Sequence, residues 1–402
     1  MSYSGTRLCY DADSHIMELP DFFKEFADAA DRDAMPELNT AAGSRIGPMI
    51  AEYAKSKKHS PEEVAAQIAL GDKLVTGAKG YQALGAFDRD ERKQALDQLG
   101  FRKQLVFSTF AAGTVFRKIR GSVDLQYAAA RAHNRAMAHF SAGDDRLMGI
   151  AALPLVSVPH ALAELDNIIK LGLKACWIPH QPAGDKSPGH LDLDPVWAKL
   201  ADAGIPFALH VGGDPLQLDP AWMNNGRPIP TDWLGGGENL RGKDMTVLHH
   251  AVERFLSVLV FDGVFQRHPK LKGIVVELGC GWVPEMLVRL DWTHKSWARN
   301  EPLLAELKTS PSQQLIEHIS VTPYPFENVG DIIGRSDTRL YMFASDYPHT
   351  EGSKTPMERF DASLDASGAS QAVKDAFYFG NFARQFALSP EPASQNGLVA
   401  AE

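Results

Sequence analysis

Eight short apolar runs, each followed by a stretch of helical periodicity, constrain this chain more than any other feature. They lie at residues 7–13, 103–108, 147–153, 175–178, 206–210, 273–277, 316–321 and 340–345. Each is mostly apolar and rich in residues that pack well on a pleated surface, as a strand buried on both faces reads. The segments between them look helical. Residues 127–140 (YAAARAHNRAMAHF) are alanine-rich and amphipathic, and 160–171 and 195–203 each end at a glycine, Gly172 and Gly204, a common helix stop. Strands alternating with helices imply a parallel sheet. Eight such units are the count of an α/β (β/α)8 TIM barrel. A doubly wound sheet competes, but no GxGxxG follows the first run.

Two regions break the rhythm. Residues 21–97 separate the first two strands by far more than one helix. Residues 211–244 follow the fifth strand and are rich in Gly, Pro, Asn and Trp. Both insertions leave C-terminal strand ends, where barrel active sites sit, so they are expected as lids or substrate walls; loose loops or oligomer contacts are the plainer alternative. Residues 1–388 are expected to form a single barrel, with a flexible tail at 389–402. The net charge of −9 disfavours a nucleic-acid binder, which needs a basic surface. Three scattered cysteines, Cys9, Cys176 and Cys280, form no disulfide framework and fit a reducing compartment. No stretch approaches the roughly 18 apolar residues of a membrane span, and the N-terminus carries no cleavage signal. A cytoplasmic protein is the expectation.

Ligand-type residues cluster at the ends of the runs. The first ends in Asp11-Ala-Asp13-Ser-His15. Alternate side chains of a strand share a face, so Asp13 and His15 point together and can grip one divalent ion, Zn²⁺ or Mn²⁺. The fifth ends at His210 before Val-Gly-Gly, the sixth at Glu277 before Leu-Gly-Cys280-Gly-Trp282, and the eighth at Ser345-Asp346-Tyr-Pro-His349. An ionised glutamate buried in such a run costs several kcal/mol unless paired or metal-bound. Taken singly, each residue fits a surface pair or a capped core histidine. Together they place four or five ligand types at one end of separate strands.

These stretches resemble the amidohydrolase superfamily, specifically the amidohydrolase-related (amidohydrolase 2) group that contains α-amino-β-carboxymuconate-ε-semialdehyde decarboxylase and the dihydroxybenzoate-type decarboxylases. The resemblance rests on DADSH at 11–15, RLMGIAALPL at 146–155, IPFALH at 205–210, FDGVFQRHPKLKGIVVELGCGWVP at 261–284, ASDYPH at 344–349 and GNFARQF at 380–386. It implies one divalent metal, zinc first and manganese as the alternative, held by Asp13, His15, His210 and Asp346, with Asp346 also handling a proton. It also implies a homodimer or higher homo-oligomer. The family's G-H-x-G-E run after the sixth strand departs here: Glu277 stands at the histidine position and Cys280 at the glutamate position. Glu277 is left as a base, a fifth ligand or a hydrogen-bond partner.

A rim metal can activate water, lowering its pKa toward about 7, or bind and polarise a carboxylate or phenolate. The first leads to hydrolysis of an amide, ester, lactone or C–C bond, the second to decarboxylation without oxidation. The resemblance favours a decarboxylase of an aromatic or unsaturated carboxylic acid, with catalytic Asp346, His210 and Glu277. A hydrolase is the alternative; a barrel that binds without catalysis is a third reading. His180, His250, His349 and Trp282 are substrate-binding candidates. His249, Trp222, Trp233, Arg117 and Arg120 are weaker ones, Glu18 is a partner to the ligands or a helix cap, and His268 receives no role.

Overall fold

In the computed structural model, residues 2–38, 46–119, 121–213, 218–228 and 241–389 are described. Parallel strands form a curled sheet whose neighbours follow chain order. They are β1 (Tyr10–Asp11), β2 (His15–Ile16), β3 (Lys103–Ser108), β4 (Leu147–Ala152), β5 (Ala175–Trp177), β6 (Phe207–His210), β7 (Gly273–Val276) and β8 (Ile319–Val321). All but Lys103 are buried along their length, as strands covered by helices must be. The helices expected at 127–140, 160–171 and 195–203 span Val123–Ser141, Val158–Leu171 and Asp194–Ala203. Gly172 and Gly204 end the latter two at φ 74° and 63°, the left-handed conformation glycine adopts at little cost. This is a TIM-barrel-like arrangement, and its C-terminal strand ends form one rim.

Two expected strands differ. The run at 316–321 is helical as far as His318, because Ser310 caps the helix Pro311–His318 and Pro311 occupies its first turn; the strand proper begins at Ile319. The run at 340–345 forms no continuous ladder. Met342 N–H donates to Val321 O at 3.0 Å, and Ala12 N–H to Phe343 O at 3.0 Å, so the segment bridges β8 and β1. Its other N–H groups go elsewhere: Phe343 to Phe377 O at 2.9 Å and Ser345 to the Asp11 carboxylate at 2.7 Å.

The first strand is also broken. Asp11 pairs with Gln104 and His15 with Phe107. Four residues advance on one strand against three on its partner, so one residue bulges out between β1 and β2. Asp13 lies in that bulge.

In the long segment after β2, the last helix, Arg89–Leu99, is N-capped by Asp88 and closed by Gly100 at φ 78°. It leads directly into β3. Among the described residues no helix is long and apolar enough to cross a membrane. Residues 214–217 and 229–240 of the expected insertion at 211–244, and all of the tail at 389–402 except Ser389, lie outside the described residues, as do Trp233 and Arg120.

Candidate metal centre

The bulge between β1 and β2, the end of β6, the residue after β7 and the turn after the closing segment converge on one buried point. Asp13 Oδ1 lies 3.2 Å from His15 Nε2 and 3.5 Å from His210 Nε2. Glu277 Oε2 lies 3.4 Å from His210 Nε2 and 3.9 Å from His15 Nε2. Asp346 Oδ1 lies 3.4 Å from His15 Nε2 and 3.0 Å from His349 Nδ1. The expected quartet thus falls into two overlapping groups. One is Asp13, His15, His210 and Glu277; the other is His15, Glu277, Asp346 and His349. His15 and Glu277 belong to both.

Backbone geometry explains why Glu277 reaches the middle. Glu277 and Asp346 have φ of 55° and 52°, a region non-glycine residues occupy only when their surroundings hold them there. Tyr324 hydroxyl donates to Glu277 O at 2.7 Å. The Glu327 carboxylate accepts from the N–H groups of Cys280, Gly281 and Tyr324, which fixes the turn after Glu277. Asp346 N–H donates to Asp13 O at 2.8 Å, tying two carboxylates together through their backbones.

The hydrogen bonds around the imidazoles define which nitrogens face inward. His210 Nδ1 lies 2.9 Å from Val211 O. A carbonyl only accepts, so Nδ1 carries the proton and Nε2 presents its lone pair to the cluster. Thr109 hydroxyl donates to Ile16 O at 2.6 Å and lies 2.9 Å from His349 Nε2. With its proton committed, that oxygen accepts from His349 Nε2–H, which turns the Nδ1 lone pair toward Asp346. Two acceptors 3.0 Å apart require a proton or a cation between them. Burial first, then His349 and His210, hold His15 well below the ordinary imidazole range; the neutral ring is the form that ligates.

These residues fit a divalent ion. Asp13 Oδ1, both Asp346 carboxylate oxygens and His15 Nε2 are buried without a hydrogen-bond partner among the described residues. Such atoms are rare in native proteins unless a ligand satisfies them. Each group offers two carboxylates and two imidazoles, a mixed oxygen and nitrogen donor set.

The family description Amidohydrolase matches residues 11–388. The chain belongs to the amidohydrolase family. A decarboxylase of Emericella nidulans, orsB, is 28% identical over 228 residues, which cover 56% of this chain and 64% of that protein, less than two thirds of its length. Among solved structures, an amidohydrolase of Mycobacterium avium subsp. paratuberculosis K-10 superposes with a TM-score of 0.70 at 21% identity, covering 94% of this chain and 99% of the other. A 5-carboxyvanillate decarboxylase of Novosphingobium aromaticivorans, crystallised with manganese and 4-hydroxy-3-methoxy-5-nitrobenzoic acid, gives 0.62 at 20% identity over 96% and 98%.

Not all of the other candidates in this amidohydrolase lie at the centre. His349 is inside it, stacked on His15 with ring centroids 3.9 Å apart. His180, His249, His250 and Trp282 line an open cavity at the rim, together with Arg254 and Arg289. His249 pairs with Glu253 at 3.4 Å, and Trp282 Nε1 donates to Gly279 O at 2.8 Å. Arg117 Nη1 donates to Gly212 O. Trp222 is exposed, and His268 pairs with Asp194. Glu18 accepts from the N–H groups of Thr109, Phe110 and Ala111, so it caps the helix Ala111–Arg117 and holds Thr109 in place.

Sequence reasoning missed the supports. The Asp11 carboxylate accepts from Ser345 N–H, Ser345 hydroxyl and the Gln104 amide. Arg92, fully buried, donates to Gln104 Oε1 at 3.0 Å, Gly85 O at 2.8 Å and His15 O. A charged residue in an amphipathic helix reads as surface; the one available signal was that Asp11 and Gln104 are polar residues inside apolar runs.

Proposed function

We propose that this amidohydrolase is a metal-dependent, non-oxidative decarboxylase of an aromatic or unsaturated carboxylic acid. The carrying observation is the Asp346–His349 pair, whose Oδ1 and Nδ1 face each other at 3.0 Å beside His15. A divalent ion held by Asp13, His15, His210 and Asp346, with Glu277 as a further ligand, would supply Lewis-acid binding of a substrate carboxylate or phenolate. Manganese is the ion we favour over zinc, because one structural neighbour was crystallised with manganese and a set half made of carboxylates accepts it.

Decarboxylation replaces CO₂ by a proton and needs no oxidant. The carboxylate carbon leaves as CO₂, the electron pair of the broken bond stays on the ring or chain carbon, and that carbon takes the proton. Asp346 Oδ1 is the atom that delivers it; after the product leaves, His349 Nδ1 takes a replacement proton from solvent water and passes it to Asp346. Thr109 sets the orientation of His349. Phe107 and Trp177, with ring centroids 4.5 and 4.6 Å from His210, keep water from one side of the centre. The decarboxylase relative supports the reaction type.

Anaerobic incubation of metal-loaded protein with dihydroxybenzoates and carboxyvanillate tests the reading. CO₂ release that stops on chelation and returns with Mn²⁺ is expected. Absence of CO₂ from every aromatic acid, with turnover of esters or lactones instead, would overturn it. Hydrolysis is the second reading because of one observation: Glu277, at the position where the family carries histidine, aims a carboxylate at the centre, where it could serve as a base for water.

A further inference from the structure

We propose that Trp177 Nε1 and His180 Nδ1 form a substrate subsite beside the metal centre, receiving an anionic oxygen of a second carboxylate or phenolate on the substrate. The substrate class rests on the decarboxylase reading; the subsite is read from the atoms themselves. Both residues stand at the C-terminal end of β5. Trp177 is 1% exposed and His180 4%. Neither nitrogen has a hydrogen-bond partner among the described residues. An indole N–H can only donate, so its missing partner is an acceptor. Buried donors are seldom left unsatisfied without a functional reason.

The two nitrogens converge on the bare face of Gly213. A methyl group there would stand 2.7 Å from His180 Nδ1 and 3.1 Å from Trp177 Nε1. Gly213 does not have a positive φ, so its backbone does not demand glycine; the missing side chain keeps the approach to both nitrogens open. At Gly212 a methyl would meet Arg117 Nη1 at 3.3 Å and Trp177 Cζ2 at 3.4 Å, which places a guanidinium near the same indole edge.

Charge selects the ligand. Burial, then His210, Arg254 and Arg117, push the His180 imidazole down to about 3. The ring is therefore neutral, and the positive potential comes from the two guanidiniums. The indole N–H beside guanidinium charge suits an anionic oxygen, and His180 joins it as the tautomer that carries its proton on Nδ1. Position selects its place on the substrate. The Trp177 ring lies 4.6 Å from the His210 ring, and His180 lines the rim cavity. An aromatic ring whose reacting carboxylate occupies the centre can present a second substituent here.

The test is binding to intact Mn²⁺-loaded protein, with benzoate and isophthalate as probes and no turnover required. Isophthalate is expected to bind about tenfold tighter or more, as one charge-assisted hydrogen bond implies. In protein loaded with diamagnetic Zn²⁺ instead, isophthalate should shift the Trp177 indole N–H resonance, identified by its absence in Trp177→Phe. Trp177→Phe and Gly213→Ala should each abolish the advantage at unchanged manganese content. Equal binding of the two probes, no binding of either, an advantage that survives both substitutions, or an indole N–H unmoved at saturation would overturn the subsite and leave these nitrogens holding water only. An isophthalate advantage without CO₂ release from any acid would sink the decarboxylase reading and spare the subsite; CO₂ release without the advantage would do the reverse.

Discussion

The strands from β3 to β7 and the seam where the chain's first strand meets its last segment are built differently. From β3 to β7 each strand pairs with the next in uninterrupted parallel register. Backbone hydrogen bonds do the joining there, and side chains are free to pack. At the seam the first strand carries a bulge, the closing segment makes isolated pairings, and the Asp11 side chain takes a backbone N–H that a ladder would have used. Asp13, His15, Asp346 and His349 all come from the seam. His210 and Glu277 come from the ends of β6 and β7, and Glu277 reaches the centre only by leaving strand geometry. Irregular backbone is what lets so many ligand-type groups face one point.

Asp11 should show the contrast at its largest. Asp11→Ala leaves the Ser345 and Gln104 donors buried without an acceptor and frees the Asp346 turn. Metal affinity is expected to fall by about 100-fold, the upper range for loss of a group supporting metal ligands, and stability by about 3 kcal/mol or more. Titration with Mn²⁺ and denaturant melts measure both. Leu105→Ala, in the regular β3, is expected to cost about 2–5 kcal/mol while the folded fraction keeps its metal affinity. If Leu105→Ala lost metal as Asp11→Ala does, the division between seam and ladder would fail.

Arg92→Met should come next. The guanidinium holds the carbonyl of His15 and the amide that serves Asp11. About a tenfold loss of metal affinity is expected, with a smaller change in stability, because methionine replaces a buried charge by apolar volume. Unchanged affinity would show that the bulge holds His15 without it.

The covering helices should leave metal affinity untouched and act on stability alone. His133, on the helix Val123–Ser141, is buried against Ser108 and Asn134, and burial pushes its imidazole down to about 4. Between pH 6.5 and 4 the unfolded chain binds the proton and the folded one does not, so stability falls as pH falls through that window. The loss reaches about 3 kcal/mol by pH 4. His133→Gln should flatten this part of the stability–pH curve in thermal melts. An identical slope in the variant would remove His133 as its source.

The same division explains what the sequence disclosed. β3 through β7 were legible within a residue or two because burial on both faces leaves an apolar run, and glycine stops marked the ends of two covering helices. The closing segment and the bulge were not. A side-chain carboxylate replacing a ladder bond, or one extra residue in a strand, leaves no periodicity to read. Asp13, His15, His210 and Asp346 could be singled out as chemical types at strand ends. Their split into two groups sharing Glu277 could not, because it depends on a left-handed φ at a glutamate. Arg92, Thr109 and Glu327 act through backbone atoms, and a sequence does not display backbone partners.

The central claim is that one divalent ion sits where the seam meets β6 and β7. Anomalous diffraction at the manganese edge from Mn²⁺-loaded crystals tests it most directly. A single peak bonded by Asp13, His15 and His210, with Glu277 or Asp346 completing the shell, is the predicted result. No peak at that point, or a peak bonded by none of these side chains, would contradict it.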